Sequence, residues 1–167
     1  MKGEYICFRG DFLKAKTYVI SILVTLAVGG LAALLTNGNM MIYDEFVKPP
    51  LAPPAFLFPV VWSVLYVLMG IGAARILIYG NGLGKKTADA LKVYIIQLAV
   101  NFFWSIIFFN IQAFLVAFIW LIFLWILIFV MLRRFAVIDK VAAIINVPYL
   151  LWVTFAGYLN IMIVLLN

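Results

Sequence analysis

The sequence contains no histidine and a single cysteine. Without histidine, neither a His-ligated haem or metal site nor a histidine general base is available. Cys7 alone can form neither an internal disulfide nor a thiolate metal cluster, and we interpret it as an inert thiol in a short basic segment. We therefore expect no bound metal and no cofactor.

Charged residues are also scarce, at 11% of 167 residues, whereas 68% are hydrophobic. A soluble domain of this length needs more polar surface, so the composition indicates a membrane protein. Long uncharged runs without alternating short strands argue against a β-barrel. We predict an all-α membrane protein, a five-transmembrane-helix bundle forming one domain over residues 1–167. Five segments have the required length of about 20 apolar residues: 17–36, 55–78, 90–109, 113–132 and 141–166.

Lysine and arginine are distributed unevenly along the chain. The segment 1–16 is a basic N-terminal arm, and the apolar run after it is too long for a secretory signal, so we expect it to be retained as the first helix. Basic residues also flank the second and fourth connections, which predicts an inside N-terminus and an outside C-terminus. The net charge of +6 is then a topology signal, and no nucleic-acid partner is expected.

The cores of the three middle segments contain no Asp, Glu, Lys or Arg. Ion- and proton-coupled transporters usually keep an ionisable residue inside the bundle. Its absence here counts against coupled transport. The glycines of "NGLGKK" at 81–86 follow no strand, so this stretch is interpreted as a turn and not as a phosphate-binding loop.

Five of the six prolines lie in "YDEFVKPPLAPPAFLFPVVWSVLYVLMG", residues 43–70. Each proline fixes its own φ and biases the preceding residue towards extended conformations. We therefore expect residues 37–54 to form a stiff, largely extended lid loop over a ligand pocket. Pro53 or Pro54 suits the first turn of the second helix, whereas Pro59 is expected to kink or open that turn.

Polar and aromatic side chains recur at four-residue spacing on three helices, which places them on one face of each. Such residues commonly hydrogen-bond membrane helices to one another. Alternatively, aromatic walls with few polar groups form a pocket for a flat aromatic ligand, oriented by the Trp62 N–H and the Asn101 amide. Spacing alone leaves both interpretations open. The faces consist of Trp62 and Tyr66 on the second helix, Gln97, Asn101, Trp104, Ser105 and Phe108 on the third, and Trp152, Ala156, Leu159 and Asn160 on the fifth.

Four stretches, in order, resemble the TspO/translocator protein family, also called tryptophan-rich sensory proteins or peripheral-type benzodiazepine receptors. They are "YDEFVKPPLAPP", "VWSVLYVLMG", "QLAVNFFWSIIFF" and "PYLLWVTFAGYLN", and they span nearly all of the chain after residue 40. The resemblance implies a five-helix bundle, often a homodimer, that binds porphyrins such as protoporphyrin IX and haem, and benzodiazepine-like drugs.

The resemblance also implies which positions bind the ligand. Carried over by matching positions, they are Tyr43, Pro53, Trp62, Tyr66, Asn101, Trp104, Ser105, Phe108, Trp152, Ala156, Leu159 and Asn160. The sequence departs from the family pattern at Leu51, where many relatives have tryptophan. It also lacks a basic residue after Tyr158, so the sterol motif of the animal proteins is not supported.

The implied function is that of a receptor in a bacterial plasma membrane, active in tetrapyrrole sensing, transport or detoxification. One alternative is a light-dependent porphyrin-degrading enzyme, in which Trp62 and Trp152 would react with the excited ligand. A second alternative is a porphyrin transporter, although no inverted repeat is visible in the sequence.

Overall fold

A computed structural model describes residues 2–39 and 46–167, with side chains from residue 13 onward. Within these residues there is no strand, and five helical spans are long and apolar enough to cross a bilayer. The predicted five-helix membrane fold is therefore confirmed. The helices are α1 (Lys2–Thr36), α2 (Leu57–Tyr79), α3 (Lys85–Ser105), α4 (Phe114–Ile138), α5 (Lys140–Ile144) and α6 (Val147–Leu166).

The basic N-terminal arm is part of α1, which runs without a break from Lys2 to Thr36. Its apolar span starts at Leu13 and ends in a 3₁₀ turn at Asn37–Asn39. The predicted Tyr43 lies outside the described residues.

The start of α2 corrects the expectation for Pro59. Because α2 begins at Leu57, Pro59 lies in its first turn, where N–H groups have no intrahelical partner. The missing N–H of Pro59 therefore removes no hydrogen bond, and the helix continues regularly to Tyr79. Pro53 and Pro54 precede the helix, so the prediction that one of them lies in its first turn is wrong.

Two of the spans contain interruptions that hydropathy did not show. The third passes from α3 into a π-helical turn at Ile106–Asn110. The fifth is divided into α5 and α6 at Ile145 and Asn146, with Pro148 in the first turn of α6. Pro148 can start a helix there but has no N–H with which to continue one from α5.

The helices approach closely where side chains are small. A Cβ built on Gly70 would lie 2.6 Å from Cα of Ile22, so α1 and α2 touch nearly backbone to backbone. A hydrogen bond of 2.6 Å between the Thr25 and Tyr94 hydroxyls joins α1 to α3. These contacts fix α1 against both neighbours.

Successive spans run in opposite directions, so the bundle has two chemically different ends. One end contains the lysines and arginines around residues 14–16, 85–92 and 133–140, and we call it the basic end. The other end is crossed by residues 46–56, which we call the strap.

The strap is anchored across the ends of α4 and α6. The Phe46 ring packs edge-on against Phe114, with ring centroids 5.0 Å apart. The Tyr158 hydroxyl donates a hydrogen bond of 2.9 Å to the Pro50 carbonyl. The described part of the strap thus lies mainly over the α4–α6 side of the bundle.

The strap contains a turn within the stretch that was expected to be largely extended. A hydrogen bond of 3.1 Å from Ala52 N–H to the Pro49 carbonyl closes a turn. Leu51 has a φ of 70° within it. Pro50 and Leu51 are the two central residues of this turn, and the fixed φ of a proline suits the first of these positions. The Tyr158–Pro50 hydrogen bond holds the turn against α6.

Candidate ligand cavity

A cavity of about 410 Å³ opens between α1, α2, α3 and α6, in the half of the bundle nearest the strap. Late α1, early α2, late α3 and late α6 meet there because the helices alternate in direction. No described residue that lines the cavity carries a formal charge. A volume within about 300–1,000 Å³ and a mainly apolar wall are typical of small-molecule sites.

One wall is a continuous series of aromatic rings. The Trp62 ring centroid lies 5.7 Å from that of Tyr66 and 6.3 Å from that of Trp104. The Trp104 and Phe108 centroids are 5.4 Å apart. The four-residue spacing within α2 and along the third span places each pair on one helix face. These rings offer flat apolar surface for stacking.

Two polar groups on the wall are buried without a partner. Asn160 is 1% exposed, and neither its amide oxygen nor its amide nitrogen is hydrogen-bonded to any described residue. The Trp104 Nε1–H is also unpaired within the described chain. Burying an unpaired polar group costs about 1–3 kcal/mol. A bound molecule with complementary polar atoms would remove that cost.

Behind the wall, a chain of hydrogen bonds holds the Tyr66 ring in place. The Tyr66 hydroxyl donates to Asn101 Oδ1 at 2.9 Å, and Asn101 Nδ2 donates to the Tyr149 hydroxyl at 2.8 Å. The Tyr149 hydroxyl in turn donates to Gln97 Oε1 at 2.8 Å. Both ends of the Asn101 amide are therefore hydrogen-bonded, while Gln97 Nε2 makes a longer contact of 3.9 Å to Met69 Sδ.

Comparison with known protein sequences identifies the family of this chain. The sequence model of the TspO/MBR family matches residues 21–166. The chain belongs to the TspO/MBR family. It is 38% identical over 153 residues to the tryptophan-rich protein TspO of Chlorobaculum tepidum, covering 90% of this chain and 96% of that protein.

Relatives of this TspO/MBR protein extend from bacteria to mammals. Protein CrtK of Rhodobacter capsulatus is 35% identical over 153 residues, which are 90% of this chain and 92% of the relative. The translocator protein of Bos taurus is 32% identical over 133 residues, which are 79% of each chain. The resemblance found in the four motifs is thereby confirmed.

The cavity of this TspO/MBR protein brings together eight of the predicted site residues. Three others, Pro53, Asn101 and Trp152, do not line it. The eight are Trp62, Tyr66, Trp104, Ser105, Phe108, Ala156, Leu159 and Asn160.

Asn101 and Trp152 stand one layer behind the wall. Both ends of the Asn101 amide are used by Tyr66 and Tyr149, so the cavity amide to which no described residue bonds is that of Asn160. The Trp152 ring packs edge-on against Phe58 with centroids 6.0 Å apart, and Phe58 lines the cavity.

The contribution of α1 was missed by the sequence analysis. Its lining residues are small and carry little chemistry, although spacings of three and four place them on one helical face. That spacing of small residues was the available signal. The residues are Gly29, Ala32, Ala33 and Thr36, and Asn37 of the following 3₁₀ turn also lines the cavity.

A second, shallower depression of about 330 Å³ lies on the outer surface between α4 and α6. Its lining includes Trp125 and Thr154. The Trp125 Nε1–H donates to the Thr154 hydroxyl at 2.9 Å, so this indole is paired, unlike that of Trp104. Trp125 therefore offers a matched control for tryptophan changes in the cavity.

Proposed function

We propose that this TspO/MBR protein is a membrane receptor that binds flat tetrapyrroles, such as protoporphyrin IX and haem, in the cavity between α1, α2, α3 and α6. Benzodiazepine-like drugs use the same site. The observation that carries the proposal is an aromatic-walled cavity whose described lining is neutral and includes a buried amide, Asn160, that no described residue pairs. The ring system stacks on Trp62 and Trp104, while Asn160 hydrogen-bonds its polar atoms.

The class of ligand comes from the family resemblance, and the wall chemistry supports it. A bundle whose polar residues only joined helices would pair its buried amides, as Asn101 does. The receptor serves tetrapyrrole sensing, transport or detoxification. It lies in a bacterial plasma membrane, in some conditions as a homodimer, with the basic end towards the cytoplasm.

Titration with protoporphyrin IX in detergent, followed by tryptophan fluorescence quenching, tests the site. The wild-type protein should show saturable, micromolar quenching. Asn160→Leu should weaken binding about tenfold, because one hydrogen bond to a buried group contributes about 1–1.5 kcal/mol. Trp104→Phe should weaken it similarly.

Trp125→Phe is the matched control for the loss of an indole, and it should leave the affinity unchanged. Quenching that never saturates would show partitioning of the porphyrin into the micelle. Equal affinities for the wild type, Asn160→Leu and Trp104→Phe would also contradict the proposed site.

Light-driven breakdown of the bound porphyrin is a second candidate function. Trp62 and Trp104 both face the cavity, with centroids 6.3 Å apart, whereas Trp152 lies behind Phe58. An excited porphyrin stacked there would take one electron from an indole, giving a porphyrin radical anion and an indole radical cation. Dioxygen is the co-reactant that would then oxidise and open the ring. Porphyrin absorbance is followed under illumination with wild-type protein, with Trp62→Phe and without protein. Equal rates of loss in all three would leave binding as the only function.

A further inference from the structure

We propose that Gly29 of α1 determines how large a ligand the cavity accepts, by allowing the Tyr66 ring to lie directly against α1. This inference rests on the proposed binding function. Gly29 is buried and lines the cavity. A Cβ built on it would lie 2.7 Å from Cζ of Tyr66 and closer still to Cδ2 and Cε2. No side chain fits at residue 29 unless the ring or the helix moves.

Helix α1 is not free to move away from the ring. About one turn before Gly29, the hydroxyl of Thr25 is hydrogen-bonded to that of Tyr94 on α3 at 2.6 Å. About two turns before it, Ile22 touches Gly70 of α2 at backbone distance. A shift of α1 away from α2 would separate Ile22 from Gly70 and would break the hydrogen bond between Thr25 and Tyr94. The ring is therefore the part that yields.

The direction in which the ring yields is towards the cavity. Tyr66 is the deepest residue that α2 contributes to the lining, after Phe58, Pro59 and Trp62. A methyl group at residue 29 would occupy the space on the α1 side of the Tyr66 ring. The ring is then pushed away from α1 and into the end of the cavity farthest from the strap. This movement strains the 2.9 Å hydrogen bond from Tyr66 to Asn101 and shortens the cavity from its deep end.

A shorter cavity discriminates by ligand size. A tetrapyrrole needs the full depth beside Trp62 and Trp104, whereas a molecule of two fused rings still fits above the displaced Tyr66. Gly29 thus acts as a positioning residue through Tyr66 and does not need to touch the ligand.

Gly30 provides a matched control within the same helical turn. A Cβ at Gly30 has no atom within 4 Å. Both Gly→Ala changes improve intrinsic helix propensity by about the same amount. Only the change at residue 29 meets the Tyr66 ring.

The experiment compares the affinities of protoporphyrin IX and 2-naphthol for wild type, Gly29→Ala and Gly30→Ala in detergent. Gly29→Ala should lower the affinity for protoporphyrin IX at least tenfold while changing the affinity for 2-naphthol less than threefold. Gly30→Ala should change neither affinity. In a Tyr66→Ala background, Gly29→Ala should alter porphyrin affinity less than twofold, because its effect passes through the ring. An equal loss for both ligands, an equal effect of Gly30→Ala, or no loss would overturn the inference.

A ligand-free readout separates this inference from the proposed function. In protein labelled with 3-fluorotyrosine, the ¹⁹F resonance of Tyr66 is assigned by its disappearance in Tyr66→Phe. It should shift in Gly29→Ala and not in Gly30→Ala. An unshifted Tyr66 resonance in Gly29→Ala would refute the proposed role of Gly29, regardless of which ligands the protein binds. A shifted resonance in a protein that binds no porphyrin refutes the binding function, and size selection with it, but leaves the Gly29–Tyr66 contact established.

Discussion

Two buried asparagines near the cavity have opposite hydrogen-bonding states. Asn101 and Asn160 are each 1% exposed. Asn101 is bonded to Tyr66 and Tyr149, whereas no described residue pairs with either end of the Asn160 amide. The first supports the fold, and the second weakens the ligand-free protein while offering a site for a ligand.

The substitutions Asn160→Leu and Asn101→Leu should therefore have opposite effects on the stability of the ligand-free protein. Asn160→Leu should leave the free energy of unfolding unchanged or raise it by about 1 kcal/mol, because an unpaired buried amide is replaced by an apolar group of similar shape. Asn101→Leu should lower it by about 1–3 kcal/mol, because the Tyr66 hydroxyl loses its partner while the Tyr149 hydroxyl keeps its hydrogen bond to Gln97. Equilibrium unfolding of ligand-free protein in detergent measures both. Equal destabilisation by the two changes would contradict the distinction.

The sequence placed both asparagines on pocket faces but could not tell them apart. Their four-residue spacing with aromatic residues selects a helix face, which is a local property. Whether an amide is paired depends on partners in other helices, and Tyr149, the central hydroxyl of the chain, was not among the predicted residues. Helix spacing contains no information about that contact.

At the scale of elements, Asn110 joins the end of α1 to the π-helical turn after α3. Its Nδ2 donates to the Leu35 carbonyl at 3.0 Å, and its Oδ1 accepts from Asn39 Nδ2 at 3.0 Å. The Leu35 carbonyl belongs to the last turn of α1, where intrahelical donors are missing. The π-helical turn at Ile106–Asn110 is wider than an α-helical turn and is a form often found at functional sites. It brings both Phe108 and Phe109 to the cavity wall.

We predict that Asn110→Ala loosens the end of α1 without unfolding the bundle. Hydrogen exchange of the amides at 35–39 should accelerate about three- to tenfold, consistent with a loss of about 0.5–1.5 kcal/mol of local stability. Amides at 20–28 of the same helix serve as the internal control and should keep their rates. Unchanged exchange at both places would show that Asn110 does not hold this end.

Hydropathy predicted the five spans because each must present about 20 apolar residues to lipid. The same averaging hides a π-helical turn, and it merges α5 and α6 into one span. The wall formed by α1 was missed for a different reason. Glycine and alanine contribute by being small, and the Tyr66 ring that makes use of Gly29 belongs to another helix.

At the scale of the whole molecule, most charged side chains of the described residues lie at the end of the bundle opposite the cavity. The described lining of the cavity is neutral, while the basic end is ordered by an ion pair between Arg75 of α2 and Asp139, which precedes α5. The pair is close, and Asp139 also accepts from the Val141 N–H at 2.9 Å. This carboxylate joins α2 to the connection between α4 and α5.

The ion pair between Arg75 and Asp139 makes the free energy of unfolding depend on pH in a defined direction. Burial acts to raise the pKa of Asp139, but hydrogen bonds from Arg75 and from the Val141 N–H outweigh it, so the pKa lies below 3.8. Because the folded pKa is below that of the unfolded chain, the contribution is present above about pH 4 and is lost as pH falls through the folded pKa.

Asp139→Asn should accordingly lower the free energy of unfolding at pH 7 by about 1–3 kcal/mol. The difference from wild type should shrink towards zero in acid. Asp89→Asn removes an exposed pair with Arg134, at 3.7 Å, and should change stability by less than about 1 kcal/mol at any pH. Unfolding titrations in detergent across pH measure both, and a pH-independent effect of Asp139→Asn would contradict the assignment.

The central claim is that the cavity between α1, α2, α3 and α6 binds the porphyrin. A crystal structure of the protein with protoporphyrin IX tests it most directly. We predict electron density for the macrocycle stacked on Trp62 and Trp104, with one of its polar atoms within hydrogen-bonding distance of the Asn160 amide. Density confined to the outer depression beside Trp125, with the inner cavity unchanged, would contradict the account.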